Sequence, residues 1–378
     1  MATGTTQTPS KSVQGAFQAG AVAPNGNDAI HLPLDHVDVG AGTITATVAP
    51  PSAGDAGLSQ ETLREMYTFV ALARALDERI WQLNRAGKAP FVVSGQGHEA
   101  AQVGAAFALD RSKDIIFPYY RDLALSLVFG LSSRDVMMGV LARGDDPVSG
   151  ARQMPAHYGS AKLRIISGSS VVGTQIPQAT GTAYAAKLRG TGQVSLVAFG
   201  EGATSEGDFH EACNFAGIHD LPVIFFCENN RYAISVPQSK QVAIDNIADR
   251  ASGYGFPGVV VDGTDLLAVY QVVKDAADRA RRGDGPTLVE AKLYRFHPHS
   301  SDDDDRFYRN PDEVKAWRAH DPLARFEAHL RELGALDHEA SAEIAARIKR
   351  EVDDATDAAE QAPQPDPATF DRYVYAER

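Results

Sequence analysis

The chain has 378 residues, of which 44% are hydrophobic and 22% charged, the proportions of a globular protein with room for a large core. A formal net charge of −13 argues against a nucleic-acid binder, which needs a basic face, and two cysteines argue against a disulfide framework. No apolar run approaches the ~18 residues of a membrane span, and no Arg precedes Arg64, so neither a membrane protein nor a mitochondrial transit peptide is expected. The first residues also lack the apolar core of a secretory signal. A cytoplasmic protein is expected.

In chain order, residues 1–45 read as a flexible tail of small and polar residues. Apolar residues at helical spacing predict a helix over 59–85, opened by Ser59 with Glu61 and Glu65 in its first turns. A second helix is predicted from Glu99, then a strand at Ile115-Ile116-Phe117 leading into a third helix, and a fourth over 133–143. Residues 144–173 form a long irregular stretch rich in Gly and Ser, a length usually kept for function. From Gln175 the pattern becomes regular. Helices are predicted over 175–190, 206–220 and 265–282, and strands over 193–199, 222–228, 258–262 and 287–296. Short continuous apolar strands alternating with helices predict an α/β fold, doubly wound, with a mainly parallel sheet and helices on both faces. This domain is expected over 46–330, followed by a C-terminal helical extension over 331–378.

The densest chemistry lies in "FGEGATSEGDFHEACNFAGIHDLPVIFFCENNRYAIS", residues 199–235. In a doubly wound sheet, ligands bind beyond the carboxyl ends of the strands, where Gly200-Glu201-Gly202 and Asn229-Asn230 both fall. The glycines let backbone N–H groups approach a phosphate, and the following helix adds its positive end. Glu201 and the Asn230 amide oxygen are hard donors suited to Mg²⁺. The pattern predicts a diphosphate held through Mg²⁺, with both residues in surface turns. Two other readings stay open on these residues. Gly200-x-Gly202-x-x-Ser205 is a dinucleotide fingerprint short of its third Gly, with Glu228 where a ribose-binding acid would stand, as in an NAD-binding oxidoreductase. The glycines and the Asn pair could equally mark plain turns.

The same residues carry a resemblance. "GEGATSEGDFHEACNFAG" followed by "PVIFFCENNRYAISVP" is similar to the thiamine diphosphate-binding motif. More closely, the chain resembles the alpha subunit of the thiamine diphosphate-dependent 2-oxo acid dehydrogenases. "FPYYRDLALSL", "RQMPAHYGS", "GTQIPQATGTAYAAK", "VDGTDLLAVY" and "YRFHPHSSDDD" match it in order, over about residues 58–330. The resemblance implies the diphosphate-binding half of the thiamine diphosphate fold and displaces the dinucleotide reading.

Residue by residue, the resemblance implies Mg²⁺ held by the side chains of Glu201 and Asn230 and the carbonyl of Tyr232. Gly202 and Ala203 would meet the diphosphate through their backbones, and Tyr120 and Arg121 would grip its terminal phosphate. His299 matches a family His that contacts the diphosphate at the mouth of the site and is the implied catalytic residue. Ser170 and Val172 would support the aminopyrimidine end. Ser169, the Val171 carbonyl, Thr174 and Gln175 would hold a K⁺ ion, as in some relatives. The sequence departs from the family twice: Val171 stands where branched-chain members often have Pro, and Glu228 where some animal members have a phosphate-binding Arg. Ser300 occupies the place of a regulatory phosphoserine of animal relatives, beside an acidic loop, Asp302 to Asp305, expected to be mobile.

The implied activity is oxidative decarboxylation of a small 2-oxo acid, with the acyl group passing to a lipoyl-bearing acyltransferase component. The carboxylate that activates the cofactor comes, in this family, from a beta subunit, and an alpha-2 beta-2 heterotetramer is implied. "RQMPAHYGS" and "HSSDDDD" look more like branched-chain members than pyruvate members. The expected substrate is therefore 3-methyl-2-oxobutanoate, with pyruvate as the alternative. "EAAQVGAAFAL" and "QATGTAYAAK" are rich in small residues, which suits close helix packing against another subunit or within the chain.

Overall fold

The structure is a computed structural model and describes residues 57–375. The tail expected over 1–45 lies outside the described residues. Ser59 caps the first helix, α1 (Gln60–Arg85), its hydroxyl accepting from Thr62 N at 3.1 Å. Then come α2 (Glu99–Phe107), the short β1 (Ile115–Phe117), α3 (Leu123–Val128) and α4 (Ser133–Val140), the last opened by a Ser132–Asp135 capping box. The regular half follows with α5 (Gln175–Arg189), β2 (Ser195–Gly200), α6 (Gly207–Ile218) and β3 (Val223–Asn229). A small antiparallel hairpin, β4 (Tyr232–Ala233) with β5 (Val236–Pro237), precedes β6 (Gly258–Asp262), α7 (Leu266–Arg282) and β7 (Thr287–Lys292). Three helices close the chain: α8 (Pro311–Arg318), α9 (Pro322–Glu332) and α10 (His338–Gln361).

The five-stranded sheet runs β1-β2-β3-β7-β6, and every pairing is parallel. Strand side chains alternate between two cores, as the pleat requires. Leu196, Ala198, Ile224 and Phe226 pack with α1, α2, α3 and α7 on one face. Val197, Phe199, Phe225 and Cys227 pack with α5 and α6 on the other. Burial on both faces explains why these strands read as unbroken apolar runs rather than alternating ones.

The predicted strand over 287–296 stops at Lys292. Its neighbours have both run out there, since the last register pairs are Asn229 with Lys292 and Asp262 with Lys292. Residues 293–296 leave the ladder and carry Arg295 toward the carboxyl edge of the sheet. The irregular segment after Asn230 holds the unforeseen hairpin, and α8 was also unforeseen, although Asn310 followed by Pro311 is a helix-start signal. On α2, residues 99–106 are all buried. A Cβ at Gly104 would lie 2.5 Å from the Leu266 carbonyl oxygen of α7, so the small residues of α2 serve contact within the chain. Phe326 and Leu330 of α9 and Ile344, Ile348 and Val352 of α10 join the same core as α1 and α4.

Candidate active site

The carboxyl ends of β1, β2 and β3 open into a cavity of about 320 Å³. Its wall brings together Tyr120, Arg121, Ser170, Val172, Gln175, Glu201, Gly202, Ala203, Asn230, Tyr232 and His299. These come from five separate stretches of the chain. Of the residues singled out in the sequence, Ser169, Val171 and Thr174 fall outside this lining. The Ser169 hydroxyl accepts from Val171 N at 3.1 Å, and the Thr174 hydroxyl donates to the Val171 carbonyl at 3.0 Å. The exposed Ser170 hydroxyl meets His157 Nε2 at 2.7 Å, a partner the sequence gave no hint of.

At one end of the cavity, β2 runs straight into a 3₁₀ turn, Glu201–Ser205, whose first N–H groups have no partner within the turn. Gly202 is required there: a Cβ would sit 2.7 Å from the Ala233 Cβ of the hairpin. Glu201 and Asn230 are not in open surface turns, as the sequence suggested, but are 1% and 4% exposed. The turns lie under the hairpin, which shields both side chains. One Glu201 oxygen accepts from Asn230 N and the other from the Gln241 amide, each at 3.2 Å. No cation among the described side chains pairs with it, and burial pushes its carboxyl above the ordinary value despite those bonds. The Asn230 amide oxygen accepts from Tyr232 N at 3.2 Å, so Asn230 and Tyr232 form one tight turn. That turn passes through left-handed backbone at Arg231 (φ 73°) and Ile234 (φ 54°).

Two guanidinium groups face the cavity. Arg121 is 1% exposed and donates to the Ser94 carbonyl at 2.8 Å, to the His299 carbonyl at 2.9 Å and to His299 Nδ1 at 3.0 Å. Arg295, also 1% exposed, donates to the Ile234 carbonyl at 2.9 Å, the Tyr308 hydroxyl at 3.2 Å and the Tyr232 carbonyl at 3.4 Å. Neither has a carboxylate partner among the described residues. Burial, then the neighbouring Arg121 and Arg309, pushes the Arg295 guanidinium down to about 10. The sequence reading assigned Arg295 no role. Its signal was an Arg placed two residues after an apolar strand, in "KLYRF".

Because an arginine only donates, His299 Nδ1 must accept, and its proton lies on Nε2. Burial and the charges of Arg121 and Arg295 push this imidazole down to about 4. It is therefore neutral at pH 7 and offers an N–H donor at the cavity wall. An imidazole whose folded pKa lies below its unfolded ~6.5 leaves the unfolded state binding more protons between those two values. Stability of the cofactor-free protein should then rise with pH from about 4 to 6.5. In His299→Asn this slope should be shallower, as followed by Tm across that window; an unchanged slope would show that His299 titrates normally.

The acidic loop is tethered rather than free. Asp303 accepts from His299 N at 2.8 Å and from the Tyr308 hydroxyl, and Asp305 pairs with Arg309. Ser300 is 7% exposed. Glu228 is turned away from the cavity and fully buried against His98, so no acid stands where a dinucleotide ribose would need one.

A parallel sheet that gathers an unpaired carboxylate and two unpaired guanidinium groups beyond its strand ends offers oxygen donors to a cation and positive charge to an anion in one cavity. The chain belongs to the dehydrogenase E1 component family, whose model matches residues 67–368. It is an enzyme of the oxidoreductase class. It is 54% identical over 320 residues to the 2-oxoisovalerate dehydrogenase subunit alpha of Bacillus subtilis, covering 85% of this chain and 97% of that one. The 3-methyl-2-oxobutanoate dehydrogenase subunit alpha of Mycobacterium tuberculosis is 41% identical, over 85% of this chain and 84% of its own length. The human mitochondrial 2-oxoisovalerate dehydrogenase subunit alpha is 38% identical, over 85% and 72%.

Proposed function

We propose that this chain is the alpha subunit of a branched-chain 2-oxo acid dehydrogenase, acting on 3-methyl-2-oxobutanoate and its relatives. The observation that carries the site assignment is the charge pattern of the cavity. One buried carboxylate lacks a cation at one end, and two buried guanidinium groups lack an anion along the wall. A diphosphate with bound Mg²⁺ satisfies both at once. Unpaired buried charges are costly, so such a site favours the ligand that completes it.

Thiamine diphosphate is the cofactor that the E1 family implies, and the residues fit its diphosphate end. Glu201, Asn230 and the Tyr232 carbonyl would supply three oxygens to Mg²⁺, with the diphosphate and water completing an octahedron. Among the described residues no cluster of three His, Cys, Asp or Glu stands ready to hold a metal, and phosphate oxygens would complete this site. Gly202 and Ala203 would present backbone groups, Arg121 and Tyr120 the grip on the terminal phosphate, and Arg295 a second positive charge. When bound, the cofactor supplies the nucleophilic carbon and the electron sink on which a 2-oxo acid loses CO₂.

The remaining roles belong to this chain. His299, through its Nε2–H, would donate a hydrogen bond at the mouth of the site and serve as its catalytic group. Ser170 and Val172 would border the aminopyrimidine. Gln175, whose amide donates to the Ala198 carbonyl at 3.1 Å and leaves its buried oxygen without a partner, is the member of the K⁺ set best placed to coordinate a cation. Among the described residues Glu201 is the one carboxylate of the cavity lining, and it would be engaged by the metal. The carboxylate that activates the cofactor is therefore assigned to a beta subunit, in an alpha-2 beta-2 assembly that passes its acyl group to a lipoyl-bearing acyltransferase. No helix among the described residues is long and apolar enough to cross a membrane, and the location proposed for the enzyme is the cytoplasm. The proposed domain organisation is a cofactor-binding domain over 46–330 followed by a helical extension over 331–378.

Arg121→Ala tests the phosphate grip. It removes charge-assisted bonds, and thiamine diphosphate affinity of the assembled enzyme in Mg²⁺ should fall on the order of 10–100-fold by calorimetry. Unchanged affinity would place the diphosphate elsewhere. A panel of 2-oxo acids assayed on the same preparation tests the substrate, and a preference for pyruvate would overturn the branched-chain reading.

A further inference from the structure

Behind the cavity lies a buried polar cluster for which the cofactor reading has no use. Its centre is Gln102 of α2, 1% exposed. The Gln102 amide nitrogen lies 3.0 Å from the Arg121 carbonyl, 3.2 Å from an Asp122 oxygen and 3.0 Å from a Glu228 oxygen. Its amide oxygen accepts from Ala124 N at 3.1 Å. One side chain thus holds the turn between β1 and α3 at two backbone points. Asp122 closes the same turn, accepting from Tyr119 N at 2.8 Å. Glu228 is the residue of β3 just before Asn229 and Asn230, and it meets His98 Nδ1 at 2.6 Å.

We infer that Gln102 is a positioning residue, which sets the spacing between the phosphate grip at Arg121 and the metal end at Asn230. Three observations lead there. First, β1 is three residues long, and its edge away from β2 is bridged only at Ile116, through Arg164 and Ile166, so no ladder extends past Phe117 into the turn it feeds. Second, the guanidinium of Arg121 spends its bonds on Ser94 and His299, which belong to other loops. Its aim therefore depends on where its own backbone is pinned, and among the described residues Gln102 is the side chain that binds its carbonyl. Third, the same amide reaches across to β3, the strand that delivers Asn230.

The charges around the clamp favour a neutral donor. The groups packed on it are Glu228, Asp122, His98, Tyr119 and Arg121. Burial, then the nearby Glu228, raises the Asp122 carboxyl well above its ordinary range. Burial acts the same way on Glu228, but the bond and charge of His98, with the Asp122 and Gln102 bonds, together outweigh it and keep that carboxyl low. The Gln102 amide thus donates to an ionised Glu228 without adding charge to the cluster.

The inference rests on the proposed function for the meaning of Arg121, and the experiment separates the two. Thiamine diphosphate affinity and the apparent KM for it are measured on the assembled alpha–beta enzyme with Mg²⁺, for Gln102→Leu, Arg121→Ala and the double variant. Gln102→Leu should weaken cofactor binding about 10-fold, from lost and unsatisfied hydrogen bonds, while kcat at saturating cofactor stays within about twofold. In the Arg121→Ala background the same change should cost under about twofold, because the clamp acts through Arg121. A full 10-fold loss in that background, or a fall in kcat without a change in KM, would show a structural role and overturn the inference. Should Gln102→Leu fail to assemble, Gln102→Met keeps the length and adds no charge to the cluster, and the same expectations apply to it. Retained affinity in Gln102→Leu or Gln102→Met overturns the inference alone. Retained affinity in Arg121→Ala overturns the phosphate grip and the inference with it.

Discussion

Glu201→Ala should abolish Mg²⁺-dependent binding of thiamine diphosphate and leave the cofactor-free protein at least as stable as the parent. The two halves of this expectation come from one fact, the burial of a carboxylate that forms no ion pair among the described side chains and feels Arg295 only as a minor influence. A carboxylate taken out of water without a cation costs free energy in the empty site, so its removal relieves the apo protein. The loss of binding should be about 100-fold or more, since even outer-shell partners of a metal cost 10–100-fold. Asn230→Ala should weaken binding in the same direction, although it also removes the acceptor for Tyr232 N and so loosens the turn. Calorimetric titration with and without Mg²⁺ reads the first half and thermal melting of the apo protein the second. Undiminished Mg²⁺-dependent affinity would remove Glu201 from the metal site. A large drop in apo Tm would show that the carboxylate is structural instead.

The second large effect concerns what the chain does alone. Expressed without a beta partner and given thiamine diphosphate, Mg²⁺ and 3-methyl-2-oxobutanoate, it should show no turnover with an artificial electron acceptor. The carboxylate of the cavity lining, Glu201, stands at the metal end. Glu206, the acid that follows the turn, stands at the N-terminal end of α6 and is absent from the lining. Neither can serve the metal end and the far end of a bent cofactor together. Addition of the beta chain should restore activity. Turnover by the single chain at a rate near that of the reconstituted enzyme would mean that the activating carboxylate lies in this sequence.

Much of the fold was legible because burial on both faces of the sheet leaves a plain mark. "QVSLVAF" and "PVIFFCE" are strands that no amphipathic helix would imitate, and the Gly-Glu-Gly turn marks the carboxyl end of the first as Asn229-Asn230 marks that of the second. Less legible were features decided by distant partners. The strand over 287–296 ends early because β3 and β6 stop, which nothing in "TLVEAKLYRF" records. The hairpin at Tyr232 escaped notice because its left-handed residues are Arg231 and Ile234, where a turn reading looks for Gly or Asn. Arg295 is held by the carbonyls of that same hairpin, some sixty positions away, so its role was hidden with it. Gln102 looked like one polar residue in an alanine-rich helix, and only the fold brings the Arg121, Asp122 and Glu228 oxygens within reach of its amide nitrogen.

The left-handed residues at 231 and 234 have a consequence for timing. Each holds a conformation that costs a non-glycine residue about 1–3 kcal/mol, and a branched side chain such as Ile234 tolerates it poorly. That strain is met when the chain folds, before any ligand arrives. The Tyr232 carbonyl is thus aimed in advance, and little ordering of this hairpin is left for the moment of capture. A receptor organised in this way gains mainly in how long it retains its ligand. The hairpin therefore acts as a latch set during folding, and its imprint should be sought in the cofactor's residence time.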